Sequence, residues 1–330
     1  MKLNRLLITA ALLLALASPG AAFAADTSAR HQAEEDEQKA DARAKSTAAE
    51  SDVIVNLCVE SGDVVVHGWD KREIRARADD AARLEIRPSE ATGGAAKPAK
   101  RVEVLISNSD EGEMITGGCV GSSNVVLDVP RGATVVLKVR SGDVEVGDVA
   151  EARIESLSGD IGVSGISRAL EVESISGNLS LKNSSGRIRV RSYSGTVDAL
   201  DVRPKEDTDY FIARATSGDV NLDRVTHTRI EANTLSGDVN VAGALARGGS
   251  YDFKTHSGSV ALTLPSDSSF KLNARVVAEG EIITDFLVKT ASGAQPLKEL
   301  SQGRLIGTVG TGDAELTLLS FSGTLHLKKK

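Results

Sequence analysis

The sequence predicts an all-β fold: a β-solenoid, parallel β-helix-like, with coils of roughly 18–20 residues that turn at Ser-Gly corners. Three observations carry this expectation. First, Ser-Gly recurs in one register at Gly62, Gly142, Gly159, Gly177, Gly186, Gly195, Gly218, Gly237, Gly258 and Gly323, with Thr311-Gly312 as a near copy. Second, apolar residues hold fixed places around each corner. Val64, Val144, Ile161, Leu179 and Val197 stand two residues after the glycine, and Leu57, Leu137, Ile154 and Val172 five before it. That alternation with a period of two is the mark of a half-buried strand. Third, the chain is 41% hydrophobic but only 3% aromatic, so its core is aliphatic. Aromatic rings bury the most area per side chain, and a compact α/β enzyme of 330 residues would carry more of them.

Successive corners from Gly142 to Gly258 are 17, 18, 18, 23, 19 and 21 residues apart, with Gly186 dividing one interval into 9 and 9. Glycine supplies the backbone freedom of the corner, and the preceding Ser hydroxyl bonds the turn backbone. One such coil cannot bury its apolar face alone, whereas a stack buries a continuous Val/Ile/Leu core. A β-sandwich of hairpins also has short, evenly spaced strands. It does not require the glycine register to persist through the chain, and the solenoid is favoured on that ground.

The elements follow in order. Residues 1–24 read as a signal peptide: Lys2 and Arg5, the apolar run Leu6–Ala17, the breakers Pro19 and Gly20, then Ala22-Phe23-Ala24 as the cleavage site. Cleavage near Ala24 makes the protein periplasmic or secreted, and no later run is apolar for long enough to span a bilayer. Residues 25–50, with Glu34-Glu35-Asp36-Glu37, have almost nothing to bury and form a charged linker, flexible or helical. Residues 51–127 form an N-terminal β region that contains Cys58 and Cys119. Two cysteines in an oxidising compartment favour a disulfide; the alternative is two buried free thiols. Residues 128–330 form the Ser-Gly repeat solenoid, continuous with that region. Its last strands, Ala314–Leu319 and Thr324–Leu327, are expected to close the last coil, with Lys328, Lys329 and Lys330 blunting the edge.

The pattern resembles the putative-adhesin family of bacterial envelope proteins. The resemblance rests on Glu60-Ser61-Gly62-Asp63-Val64 with Gly68-Trp69-Asp70, on Asp128-Val129-Pro130-Arg131-Gly132, and on the serial Ser-Gly-Asp units. Gly258–Pro265 and Gly307–Leu327 resemble it as well, so the likeness covers nearly the whole chain from about residue 51. It implies a β-solenoid-like fold and an envelope location, and it brings no catalytic residues.

Composition and motifs narrow the chemistry. A formal charge of −7 is no footprint for nucleic acid, and 26% charged residues exclude a polytopic membrane protein. There is no nucleophile elbow, phosphate loop or HExxH pair, and His31, His67, His227, His256 and His326 are scattered and read as surface residues. Catalytic, cofactor and metal residues are therefore none. Asp63, Asp143, Asp160, Asp219, Asp238 and Asp313 follow corner glycines; they read as turn-stabilising, with a calcium-binding column as the alternative.

The function expected is that of a non-enzymatic adhesin or scaffold whose partner is an envelope protein or polysaccharide. The alternatives are a polysaccharide-binding or -cleaving solenoid and a self-assembling, bactofilin-like structural protein. Clustering of Trp69, Tyr193 and Tyr210 with acids on a concave face would favour the polysaccharide reading, and their dispersal the first.

Overall fold

A computed structural model describes residues 44–79, 84–89, 98–107, 119, 121–290, 293–295 and 299–330. The expected signal peptide and most of the charged linker lie outside the described residues. The N-terminal region forms β1 (Lys45–Ser61), β2 (Val64–Trp69), β3 (Glu73–Ala78), β4 (Leu84–Ser89), β5 (Ala99–Ile106) and β6 (Val125–Pro130). Coils of one long strand, a glycine corner and one short strand follow. They are β7 (Thr134–Ser141) with β8 (Val144–Gly147), β9 (Glu151–Ser158) with β10 (Ile161–Ser164), and β11 (Ala169–Ser176) with β12 (Leu179–Lys182). Next come β13 (Arg187–Ser194) with β14 (Val197–Val202) and β15 (Tyr210–Ser217) with β16 (Val220–Val225). Then come β17 (Arg229–Ser236) with β18 (Val239–Ala242) and β19 (Ser250–Ser257) with β20 (Val260–Leu264). The C-terminal part adds β21 (Phe270–Thr284), β22 (Val288–Thr290), β23 (Gly293–Gln295), β24 (Glu299–Val309), β25 (Ala314–Ser322) and β26 (Leu325–Lys329).

These strands make the two parallel stacks of a solenoid. The long strands pair in the order β5-β1-β7-β9-β11-β13-β15-β17-β19-β25-β21. The short strands pair as β6-β2-β8-β10-β12-β14-β16-β18-β20-β26, ending on the far part of β21. Like residues stack on like: Leu170 stands between Ala152 and Ile188, and Val172 between Ile154 and Val190. The alternation is therefore buried as one aliphatic core from Ala49 to Leu327. Rings enter that core where the coil is long. Phe211 lies within the 23-residue interval, and Tyr251 and Phe253 lie within the 21-residue one.

The ends depart from the sequence reading. The expected last coil is not last in space, because β25 lies between β19 and β21, and β26 between β20 and β21. Lys328 and Lys329 pair with Thr263 and Leu264 inside the sheet and do not blunt an edge. Leu316 and Leu318 have apolar partners on both sides, Tyr251 and Phe253 on one and Leu272 and Ala274 on the other, which fixes this insertion. The end is instead closed by β24, antiparallel on β21. At the other end β5 and β6 lie outside β1 and β2, and antiparallel β4 and β3 cover them. The linker boundary also moves: β1 starts at Lys45, within the stretch expected to be charged linker, because Ala49 is buried and residues 45–48 pair with β3.

Candidate functional site

The corner is one column. Gly62, Gly142, Gly159, Gly177, Gly195, Gly218, Gly237, Gly258 and Gly323 all have positive φ, between 119° and 142°. A Cβ on any of those from Gly142 onward would strike the carbonyl oxygen of the glycine in the neighbouring coil. Gly280 adds a further step beyond Gly323 that the sequence reading missed, since Glu279 replaces serine there. Two of the expected corner glycines lie elsewhere. Gly186 opens β13 at a different corner, against the Arg168 carbonyl, and Gly312 sits in the turn between β24 and β25. A second left-handed column, six residues past the glycine, contains Asp148, Gly165, Asn183, Asp201 and Arg224. It was hidden because different residue types fill it.

The Asp residues tie coil to coil. Asp63, Asp143 and Asp160 each accept, through Oδ1, the amide of the matching residue in the next coil: Asp143, Asp160 and Asn178. Asn178 continues the ladder to the Thr196 amide, and Asp219 and Asp238 resume it to Asp238 and Ser259. Cys58 and Cys119 form a disulfide with a Cα–Cα distance of 4.8 Å.

Against this regular frame one row is anomalous. Two residues before the glycine stand Leu157, Ile175, Tyr193, Thr216, Leu235, His256 and Phe321, and Val277 continues the row on β21. The pairing register passes from Ser156↔Ser174 to Ser158↔Ser176 and skips the residue between, which falls in the outward phase of the alternation, exposed Leu157 following buried Ser156. Eight large apolar residues are exposed among the described residues, and six lie in this row at 41–61% exposure. His256 stacks on Phe321 with ring centroids 4.5 Å apart. Eight coils at about 4.8 Å make a ridge about 34 Å long. The sequence contained the signal, since alignment on the glycines puts these apolar residues in an outward-facing phase.

A groove of about 590 Å³ runs beside the ridge, walled by Leu157, Ile175 and Tyr193 on one side and by Glu155, Glu173 and Arg191 on the other. Cys119 stands among its lining residues. Its charges are paired within the chain: Lys138–Glu155 at 2.8 Å, Arg191–Glu173 at 2.6 Å, Arg214–Glu231 at 3.5 Å and Arg140–Glu60 at 3.4 Å. Glu155 and Glu173 are register partners on adjacent coils. Each is engaged by a cation, Glu155 by Lys138 and Glu173 by Arg191.

The three aromatic candidates are dispersed. Tyr193 is on the ridge, while Tyr210 is at the opposite end of its strand beside Arg189. Trp69 ends β2, its Nε1 donating to the Glu73 carbonyl and its ring under Lys71 and Arg75. His227 corrects a surface expectation. It is fully buried, with Nε2 2.7 Å from the Gly186 carbonyl oxygen, and burial pushes its pKa down. No group of three or more His, Cys, Asp or Glu residues is arranged to hold a metal among the described residues, and no helix there is long and apolar enough to cross a membrane.

Fold and ridge together define an all-β solenoid protein whose distinguishing surface is an exposed apolar ridge. The chain belongs to the Toastrack DUF4097 family, which matches residues 73–328. Solved structures similar to it include a putative adhesin from Parabacteroides distasonis, at 10% identity and TM-score 0.44, covering 86% of this chain and 95% of that one. Another is a putative adhesin from Bacteroides fragilis, at 10% identity and TM-score 0.36, covering 87% and 96%. A putative cell adhesion protein from Clostridium sporogenes is similar at 10% identity and TM-score 0.24, covering 87% and 99%. No curated protein matches the chain.

Proposed function

We propose that this chain is an exported, non-enzymatic envelope protein, an adhesin or scaffold that uses the ridge as its contact surface. In this reading residues 1–24 direct export and the charged segment up to β1 is a tether. The observation that carries the proposal is the concentration, in one row, of six of the eight large apolar residues exposed among the described residues. Monomeric soluble proteins rarely expose a contiguous apolar patch of this extent without using it for contact. Dispersal of Trp69, Tyr193 and Tyr210 removes the stacking platform a polysaccharide reading needs. Antiparallel strands over both ends disfavour end-to-end polymerisation of the bactofilin kind. The test is capture from the envelope fraction with the protein and with Ile175→Glu/Tyr193→Glu. Partners retained by the first and lost by the second are expected; equal capture by both would refute the ridge as the contact surface.

A further inference from the structure

The ridge, taken as a contact surface in the sense just proposed, leaves its occupant to be identified. Three features bear on it: charge, pitch and shape.

Between Lys138 and Lys254 the charges flanking the ridge are matched inside the chain, the last by Lys254–Asp252 at 2.5 Å. That flank leaves no net positive charge to hold an anionic lipid surface or a polyanionic chain, and the exposed carboxylates of Asp143, Asp160 and Asp238 just beyond the corner repel one. The ridge repeats at the coil pitch of about 4.8 Å, and a surface commensurate with it must have the same repeat. A second copy of this chain has that repeat by construction.

Shape then fixes the arrangement. The groove lies on one side of the ridge, the side of Glu155, Glu173 and Arg191. Two copies related by a two-fold axis parallel to the solenoid axis can each lower their ridge into the other's groove. A two-fold perpendicular to that axis places ridge on ridge and leaves both grooves empty. The groove accompanies the five long strands from Lys138 to Thr216, about 19 Å at that pitch, which is where the ridge presents Leu157, Ile175 and Tyr193.

We infer that the protein pairs with a second copy of itself, side by side with parallel axes, Leu157, Ile175 and Tyr193 of each copy seated in the groove of the other.

Sedimentation equilibrium of the purified protein over a concentration series tests the pairing. A monomer–dimer equilibrium is expected, abolished by Ile175→Glu/Tyr193→Glu and retained by Leu287→Glu, an exposed apolar residue off the ridge. Leu157→Cys tests the arrangement without loss of core packing. Parallel axes place the two Leu157 positions at the same level, and an oxidative cross-link between copies is expected. An antiparallel pair centred on Ile175 would set them about 10 Å apart, beyond the reach of a disulfide, and give none.

A constant monomer mass, a dimer indifferent to the ridge substitutions, or a dimer without the Leu157→Cys cross-link would each overturn the inference. A protein that stays monomeric, yet binds neutral phospholipid vesicles or an envelope partner in a ridge-dependent way, would overturn the pairing alone. The ridge would then remain the contact surface.

Discussion

Gly177 shows how little tolerance the corner has. Its φ of 122° lies where an L side chain is strained, and a Cβ would point into the Gly159 carbonyl oxygen. Gly177→Ala combines backbone strain with a clash that two stacked coils cannot relieve, and a loss of roughly 2–4 kcal/mol is expected in urea unfolding. Asp160→Ala leaves the corner intact and removes one inter-coil acceptor, that of the Asn178 amide. The group is exposed, so water replaces much of the bond, and the cost should be no more than about 1 kcal/mol, with Asp160→Asn milder. His227 brings in pH. Burial beside Gly186 and Phe211 outweighs the Gly186 hydrogen bond and the Asp209 charge, so its folded pKa lies below its unfolded value near 6.5. The unfolded chain therefore binds the extra proton between the two values, and stability falls as the pH drops below about 6.5. His227→Gln should flatten that part of the curve. A midpoint-versus-pH profile unchanged by the substitution would show that His227 does not cause the slope.

At the scale of the strand, the sequence announced its geometry wherever one residue type was required and hid it wherever several sufficed. The Ser-Gly corners and the inward phase of Val144, Ile161 and Leu179 were readable because φ and burial each demand a narrow choice. The left-handed column was not, since Asp148, Gly165, Asn183, Asp201 and Arg224 all adopt it. Arg224 is held there by both Asp201 oxygens, at 2.6 and 2.8 Å. Coil order at the ends was also illegible. Which strand lies next to β19 depends on packing between residues more than 60 apart in the chain, as in Phe253↔Leu318. The ridge could be read from the aligned columns, but only the pairing showed that the ladder skips a residue there. The disulfide acts on the N-terminal coils, linking Cys58 in β1 to a residue 61 positions on. Closing a loop of that size contributes up to roughly 4 kcal/mol. Because a solenoid responds coil by coil, reduction should raise amide exchange in residues 45–106 and leave residues 187–264 nearly unchanged. Uniformly faster exchange would show that the stack unfolds as one unit.

For the molecule as a whole, stability is a sum over coils and the interfaces between them, so the chain should tolerate loss of a whole coil but not of half of one. The stretch Asp160–Gly177 is one period: it runs from one corner to the next and contains β10 and β11. Deleting it joins Gly159 to Asn178, and β9 then leads through a glycine corner into β12 as in every other coil. The inward phase, the glycine column and the two-sheet stack all survive, with one fewer interface. Deleting Asn178–Gly186 removes only half as many residues, yet it joins the corner after β11 directly to β13. Two long strands then follow each other with no short strand between them, and the second sheet loses a layer that the first retains. The longer deletion should keep the β-sheet circular dichroism spectrum and a cooperative, somewhat lower melting transition. The shorter one should lose both or aggregate. If both variants melted alike, stability would not reside in the coil as a unit, and the account of the fold as a stack of interchangeable coils would fail.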